Sequence, residues 1–281
     1  MRELRASGKV IRIEDTPLII GILNVTPDSF SDGGKYTEPD AAIARALVML
    51  DEGADIVDVG GESARPGSQP VSPKEELRRI EPVVKGILKE RPKTVVSIDT
   101  RKPEVAERAL SLGAIIVNDV GGMQDPKMRK VAKSHDAAAV IMHMKGEPGT
   151  MQEAPHYDDL LREVTKFLWT QAEQCVSEGI GRGSIIVDPG IGFGKRTEDN
   201  LTLLRELKVV RDIGYPVMLG VSRKSFIEKI TGRKVEERVA GSVAANVVAM
   251  LNGADILRVH DVKETRDAVL VVKAIASAPK V

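Results

Sequence analysis

The sequence predicts an α/β fold: a closed (β/α)8 TIM barrel with a short N-terminal hairpin or arm. Three observations predict it. The length of 281 residues suits one barrel of this kind, so 1–281 is read as a single domain. Eight short apolar runs alternate with eight helical patterns, as repeated strand–helix units require. Each apolar run can be buried on both faces, the habit of parallel strands.

The elements follow in order. Residues 4–13 form a small hairpin or arm that caps the bottom of the barrel. Strands are expected over 18–25, 55–60, 94–99, 115–119, 138–144, 184–188, 216–222 and 255–260. Helices follow them over 40–51, 74–89, 103–111, 126–133, 157–178, 198–211, 236–251 and 262–276. Three helices end in one phrase: Gly53-Ala54-Asp55, Gly113-Ala114-Ile115 and Gly253-Ala254-Asp255. Glycine there suits the left-handed residue after a helix end. Right-handed crossovers bring every strand's C-terminus to one rim.

Composition narrows the function. Lys+Arg and Asp+Glu are both 41, a balance that argues against a nucleic-acid partner. The single cysteine, Cys175, excludes an internal disulfide framework and is read as a half-buried helix residue. The apolar runs fall far short of the roughly 20 residues a spanning helix needs, and no signal peptide is visible. The expectation is a cytoplasmic protein with no membrane partner.

The strand ends carry the chemistry. Strand 1 ends at Asn24, strand 3 at Asp99, strand 4 at Asn118-Asp119 and strand 5 at His143. Strand 6 ends at Asp188, strand 7 at Ser222-Arg223-Lys224-Ser225, and strand 8 at Arg258 and His260. Arg258 and His260 are two apart and share one side of their strand. Singly, most have ordinary readings: Asp188 as a turn former before Pro189, His143 as a satisfied core histidine, Asp58 as a buried structural carboxylate. Asp119 has the opposite parity to Asn118 and points at the helices. Jointly, polar groups at six or more strand ends are costly without a ligand. Carboxylate and amide acceptors suit a heterocycle edge bearing several N–H groups. Lys224, Arg258 and His260 suit an anion, and glycine-rich loops offer N–H groups for phosphate. Phe30 and Phe193, in glycine-rich loops, are placed to flank a flat substrate.

These phrases resemble the bacterial dihydropteroate synthases over essentially the whole chain. The match runs through Gly21 to Gly34, Asp58 to Gly67, Ser97 to Thr100, Asn118-Asp119, Met142 to Met144, Asp188 to Lys195, Ser222 to Ser225 and Arg258 to Asp261. The resemblance implies a folate-pathway transferase joining 6-hydroxymethyl-7,8-dihydropterin diphosphate to p-aminobenzoate. It implies that Asp99, Asn118 and Asp188 hold the pterin's amino and ring N–H edge, and that Lys224 bonds its acceptor side. Arg258 would lie along the ring and reach toward phosphate. His260 and Arg65 would attend the diphosphate, and Asn24 would help hold Mg²⁺. Ser225 would receive the p-aminobenzoate carboxylate, with Phe30, Arg65, Pro66 and Phe193 as walls. Ala64 would contact the diphosphate through its backbone: many relatives carry Ser or Thr there, so the hydroxyl contact is lost, with Ser63 as a partial substitute. Loops near 25–36 and 62–71 would close over the second substrate. The resemblance also suggests a homodimer through the last helices. Three other readings stand beside it: a pterin-presenting barrel of the corrinoid methyltransferase type, a sugar-phosphate barrel enzyme, and a catalytically dead pterin-binding partner, which only Ala64 supports. The first has no use for the Ser222–Ser225 anion site; the second has none for Asp99, Asn118 and Asp188.

Overall fold

A computed structural model describes residues 2–26, 38–62, 70–147 and 149–279. Its first element is a hairpin of two antiparallel strands, β1 (Arg2–Ala6) and β2 (Lys9–Ile13). Eight parallel strands follow: β3 (Leu18–Asn24), β4 (Ile56–Gly60), β5 (Val95–Asp99), β6 (Ile116–Asp119), β7 (Ala138–Met142), β8 (Ile185–Asp188), β9 (Met218–Leu219) and β10 (Ile256–Val259). Their spatial order is β8-β7-β6-β5-β4-β3-β10-β9. A parallel bridge from Val187 to Val217, with Val187 N–H donating to Pro216 O at 2.9 Å, joins β8 to β9 and closes the barrel.

The predicted helices α1 (Glu38–Asp51), α2 (Pro73–Glu90), α3 (Pro103–Ser111), α4 (Pro126–Ser134) and α10 (Val262–Ala276) form where expected, while α9 (Val239–Leu251) begins three residues late, after a 3₁₀ turn at Val235–Glu237. Helix α5 (Leu160–Ser177) begins later than the apolar pattern, because the Asp159 side chain caps it by accepting the Arg162 N–H. The pattern over 198–211 forms two helices, α6 (Thr197–Arg205) and α7 (Leu207–Arg211), interrupted at Glu206. A short helix, α8 (Ser225–Thr231), joins the eight-helix scheme.

The repeated joint behaves as its glycines predict. Gly53, Gly113 and Gly253 have φ of +100°, +111° and +105°. Ala54, Ala114 and Ala254 donate back to Met49, Ala109 and Ala249, the bond of a Schellman ending. The aspartates of the phrase then start the next strands. Asp55 accepts from Ile19 N–H and pairs with Arg266; Asp255 accepts from Val217 N–H and pairs with Arg2. Arg2 lies on the hairpin, so the same contact anchors β1 beneath the barrel.

Inside the barrel, strand parity decides everything. The lower inward row is apolar: Leu18, Ile20, Ile56, Ile116, Ala138, Val140, Ile186, Met218 and Ile256 pack on Leu4, Ala6 and Ile13 of the hairpin. The hairpin is therefore the barrel's floor. Between strands and helices lies the larger apolar layer, which includes Cys175. Cys175 is wholly rather than half buried, and burial pushes its thiol up to about 12, so it is inert. Among the described residues no helix is long and apolar enough to cross a membrane.

Candidate active site

One inward step above the apolar row, the same strands turn polar. Ile56 is followed on that face by Asp58, Ile116 by Asn118, Ile186 by Asp188 and Ile256 by Arg258. On β5 the row ends in Asp99, and on β3 in Asn24, which lies level with Gly60. The register of β9 and β10 continues to set Gly220 beside Arg258 and Ser222 beside His260. A Cβ at Gly220 would lie 3.9 Å from the Cβ of Arg258, which places the two residues side by side.

Arg258 is the hub. Its Nε donates to Asp58 Oδ2 at 2.7 Å, and its terminal nitrogen to Asp99 Oδ2 at 2.6 Å. Asp58 Oδ2 also accepts from Asn118 Nδ2 at 2.9 Å. Four strand ends are thus tied through one guanidinium and one carboxylate. Burial works against the charge on Arg258, and the two carboxylates outweigh it, holding the guanidinium above its ordinary range. Burial pushes Asp99 up, with Arg258 opposing and Asp58 reinforcing the shift.

Across the rim stands a second set. Asp188 is buried, and its Oδ1 accepts the Gly190 N–H at 2.7 Å. Burial raises its pKa, while Lys224 pulls the other way. Burial lowers Lys224 to about 8 against the field of Asp188. The Lys224 ammonium donates to Ile191 O and sits 4.5 Å from the Phe193 ring centre. Gly190, at φ +68°, lets the loop after β8 turn over β7: a Cβ there would lie 1.9 Å from His143 O. Ser222 Oγ accepts the His260 N–H at 3.2 Å and meets its Nδ1 at 3.1 Å, fixing the ring beside the cations.

The expected residues therefore divide cleanly. Asp99, Asn118, Asp188, Lys224, Arg258 and His260 stand at the inner rim, with Phe193 above Lys224. Asn24 is half-buried at the same level, and Ser225 is exposed at the first turn of α8. Phe30, Ala64, Arg65 and Pro66 lie outside the described residues, as does most of each loop expected to close. His143 matches its bland reading: it is buried, donated to by Lys195 Nζ at its Nδ1 (2.9 Å), with Phe167 edge-on. Burial lowers it to about 3, so it stays neutral. Asp119 turns outward, as its parity requires, and accepts from Gly121 and Met123 N–H. Glu62 pairs with Arg101 and Lys102 and accepts the Val71 N–H.

Three contributors exceed their sequence reading: Asp58, read there as a structural carboxylate, Ser222, read only as part of the anion site, and Lys195, which carried no assigned role. The signal for Asp58 was present, since it shares the inward parity of Gly60 and lies level with Ser97 on the next strand. Lys195 had no such signal. It lies in a loop, and only the fold buries it against His143 and the carbonyls of His143 and Phe193.

Comparison with known proteins gives one answer. The family model described as pterin binding enzyme matches residues 20–260. A dihydropteroate synthase of Escherichia coli K12 is 45% identical over 262 residues, 93% of each chain. The structure of Xanthomonas albilineans dihydropteroate synthase with 4-aminobenzoic acid superposes at a TM-score of 0.92 with 43% identity, covering 99% of each chain. The same enzyme in complex with 7,8-dihydropteroate gives 0.90 and 41%, covering 99% of this chain and 100% of that one.

Proposed function

The chain belongs to the pterin-binding enzymes and, within them, to the dihydropteroate synthases, and from that premise we propose how its rim works. It joins 6-hydroxymethyl-7,8-dihydropterin diphosphate to p-aminobenzoate, giving 7,8-dihydropteroate and pyrophosphate. The observation that carries this reading is the pairing inside one rim of three acceptors, Asp99, Asn118 and Asp188, with the cations Lys224 and Arg258. A pterin presents several N–H donors along one edge, which the acceptors match. Its ring acceptors face Lys224, and its diphosphate lies toward Arg258 and His260.

The chemistry follows from the substrate. The leaving group sits on a methylene beside an electron-rich ring, so the ring delocalises the positive charge left when the C–O bond breaks. The protein's task is to stabilise charge developing on pyrophosphate with fixed donors in a site sheltered from water. Arg258, His260 and Arg65 supply that field. The aromatic amine is unprotonated at neutral pH, forms the new C–N bond and then loses a proton to solvent, so no strong base is required. Ser225 and the α8 amides receive the p-aminobenzoate carboxylate, with Phe30, Pro66 and Phe193 as walls. Asn24 offers one hard oxygen at the rim and would help hold a Mg²⁺ ion there. When bound, that ion supplies further neutralisation of the diphosphate.

The enzyme acts in the cytoplasm as a homodimer. Support for the dimer comes from α9, which is apolar almost all round, and from α10 beside it: Leu251 and Ile275 are 63% and 70% exposed. Leu251→Asp with Ile275→Asp gives a monomer by sedimentation if these helices are the interface.

One assay tests the whole reading. Pyrophosphate release is measured with Mg²⁺ and the pterin diphosphate, with and without p-aminobenzoate. Release that depends on the amine is expected; amine-independent release, or none, would sink the proposal.

A further inference from the structure

Asp58 is the polar residue of the rim that the reaction leaves without work. Its side chain is 1% exposed, and one oxygen, Oδ1, is buried without a hydrogen-bond partner among the described residues. Burying a carboxylate with an idle oxygen is costly unless its position serves something. The other oxygen takes two donors at once, Arg258 Nε and Asn118 Nδ2.

The contact with Asn118 has a consequence for the pocket. An ionised carboxylate only accepts, so the Asn118 amide must turn its NH₂ toward Asp58. Its carbonyl oxygen then has to face the other way, toward the space shared with Asp99 and Asp188. A free asparagine side chain presents donor and acceptor with nearly equal ease. Here the choice is made by the strand next but one, because Asp58 and Asn118 flank Ser97–Asp99 on β4 and β6. The same oxygen aligns Arg258, leaving the guanidinium's other end for Asp99.

We infer that Asp58 is a positioning residue that sets the polarity of the Asn118 amide, and thereby restricts the pocket to ring edges bearing several N–H donors. The inference rests on the pterin reading above and deepens it. Asp58 touches no substrate; it determines that Asn118 accepts rather than donates. The pocket wall then consists of acceptors only on that side, and a heterocycle lacking those hydrogens leaves an acceptor buried and unpaired.

The test compares the binding of pterin diphosphate with that of its 2-deamino analogue, by calorimetry, in the wild type, Asp58→Asn, Asp58→Ala and Asn118→Ala. The wild type should prefer the amino-bearing ring by about 100-fold or more, the range for a site built to bond a missing group. Asp58→Ala should lower that preference to within about tenfold by weakening the pterin more than the analogue. Asp58→Asn should keep most of it, because its carbonyl can still accept from both donors. In an Asn118→Ala background, Asp58→Ala should change the preference no further. For p-aminobenzoate, KM should stay unchanged in Asp58→Asn and Asp58→Ala while the pterin KM rises. Asp58→Ser replaces the alanine variant if that chain does not fold.

An unchanged preference in Asp58→Ala would overturn the inference, as would equal losses for both ligands, which a merely structural role predicts. Equal losses of preference in Asp58→Asn and Asp58→Ala would assign the effect to charge instead and overturn it too. Failure of the pterin reading itself looks different: the wild type would then show no preference at the outset.

Discussion

The floor and the rim of the barrel are built from the same strands and do opposite things. At the floor, Ile56, Ile116, Ile186 and Ile256 close on Leu4, Ala6 and Ile13, and removing that surface from water stabilises the fold at about 25 cal/mol per Å². Two residues further along, the same inward face carries Asp58, Asn118, Asp188 and Arg258. There, charges are held out of water at a cost and repay it only through one another or through a ligand. What separates stability from chemistry is distance along the strand, a single inward step, and not the choice of strand. The difference also explains how a rim can vary its chemistry while its floor keeps the fold.

The comparison breaks first at Arg258, which belongs to both sides. Arg258→Met leaves Asp58 and Asp99 facing each other in the rim. Denaturant unfolding should show a loss of about 3–5 kcal/mol, the usual cost of stranding a buried ion. Steady-state kinetics should show kcat/KM lower by roughly 10²–10³-fold, as for loss of a key electrostatic donor. A variant that is inactive yet fully stable would mean that the rim contributes nothing to the fold.

Leu4→Ala probes the other end. The side chain is fully buried in the floor, so the variant should lose about 2–5 kcal/mol by denaturant unfolding. Its kcat and both KM values should match the wild type at a temperature where it is folded. A parallel fall in kcat would show that the two ends are not separable.

The pH profile sharpens the picture of the rim alone. Lys224 has been lowered by burial to about 8 and is proposed to act as a cationic donor. Its useful form is therefore present below that pH and lost above it. The kcat/KM for pterin diphosphate should fall about tenfold per unit on the alkaline side of pH 8. Lys224→Arg should carry the limb upward, since a guanidinium does not titrate in that range.

Ser225→Ala is the smallest change. Loss of one hydrogen bond to a carboxylate should raise the p-aminobenzoate KM by roughly tenfold and leave the pterin KM alone. A rise in both would remove the distinction between the two substrate sites.

Much of this molecule was legible in its sequence because its strands are short and their parity is strict. Asn118 and Asp119 are adjacent, yet one faces the pocket and the other caps a turn, and alternation alone separates them. The strand ends Asp99, Asp188 and Arg258 were readable for the same reason. Elements governed by local hydrogen bonds were less so. The seventh barrel strand was expected over 216–222 but is regular only at Met218–Leu219. Pro216 has no N–H for the ladder, and Ser222 is drawn aside to His260. The break between α6 and α7 at Glu206 has no marker such as glycine or proline. Lys195 was illegible because a loop residue's burial depends on what folds over it. Asp58 lay between the two cases: its direction was readable, but its partners, 60 and 200 positions away, were not.

The bridge that closes the barrel has one more consequence. Every other neighbouring pair of strands is zipped by two or more register pairs, whereas β8 and β9 meet at Val187 and Val217 alone. Asp188 stands on one lip of this seam, and Lys224 follows the other. In the proposed binding mode, a pterin held by both would cross the gap as a rivet crosses a split hoop. Bound substrate then does part of the work of the missing ladder, and amide exchange along 217–222 should slow on saturation more than anywhere else in the barrel.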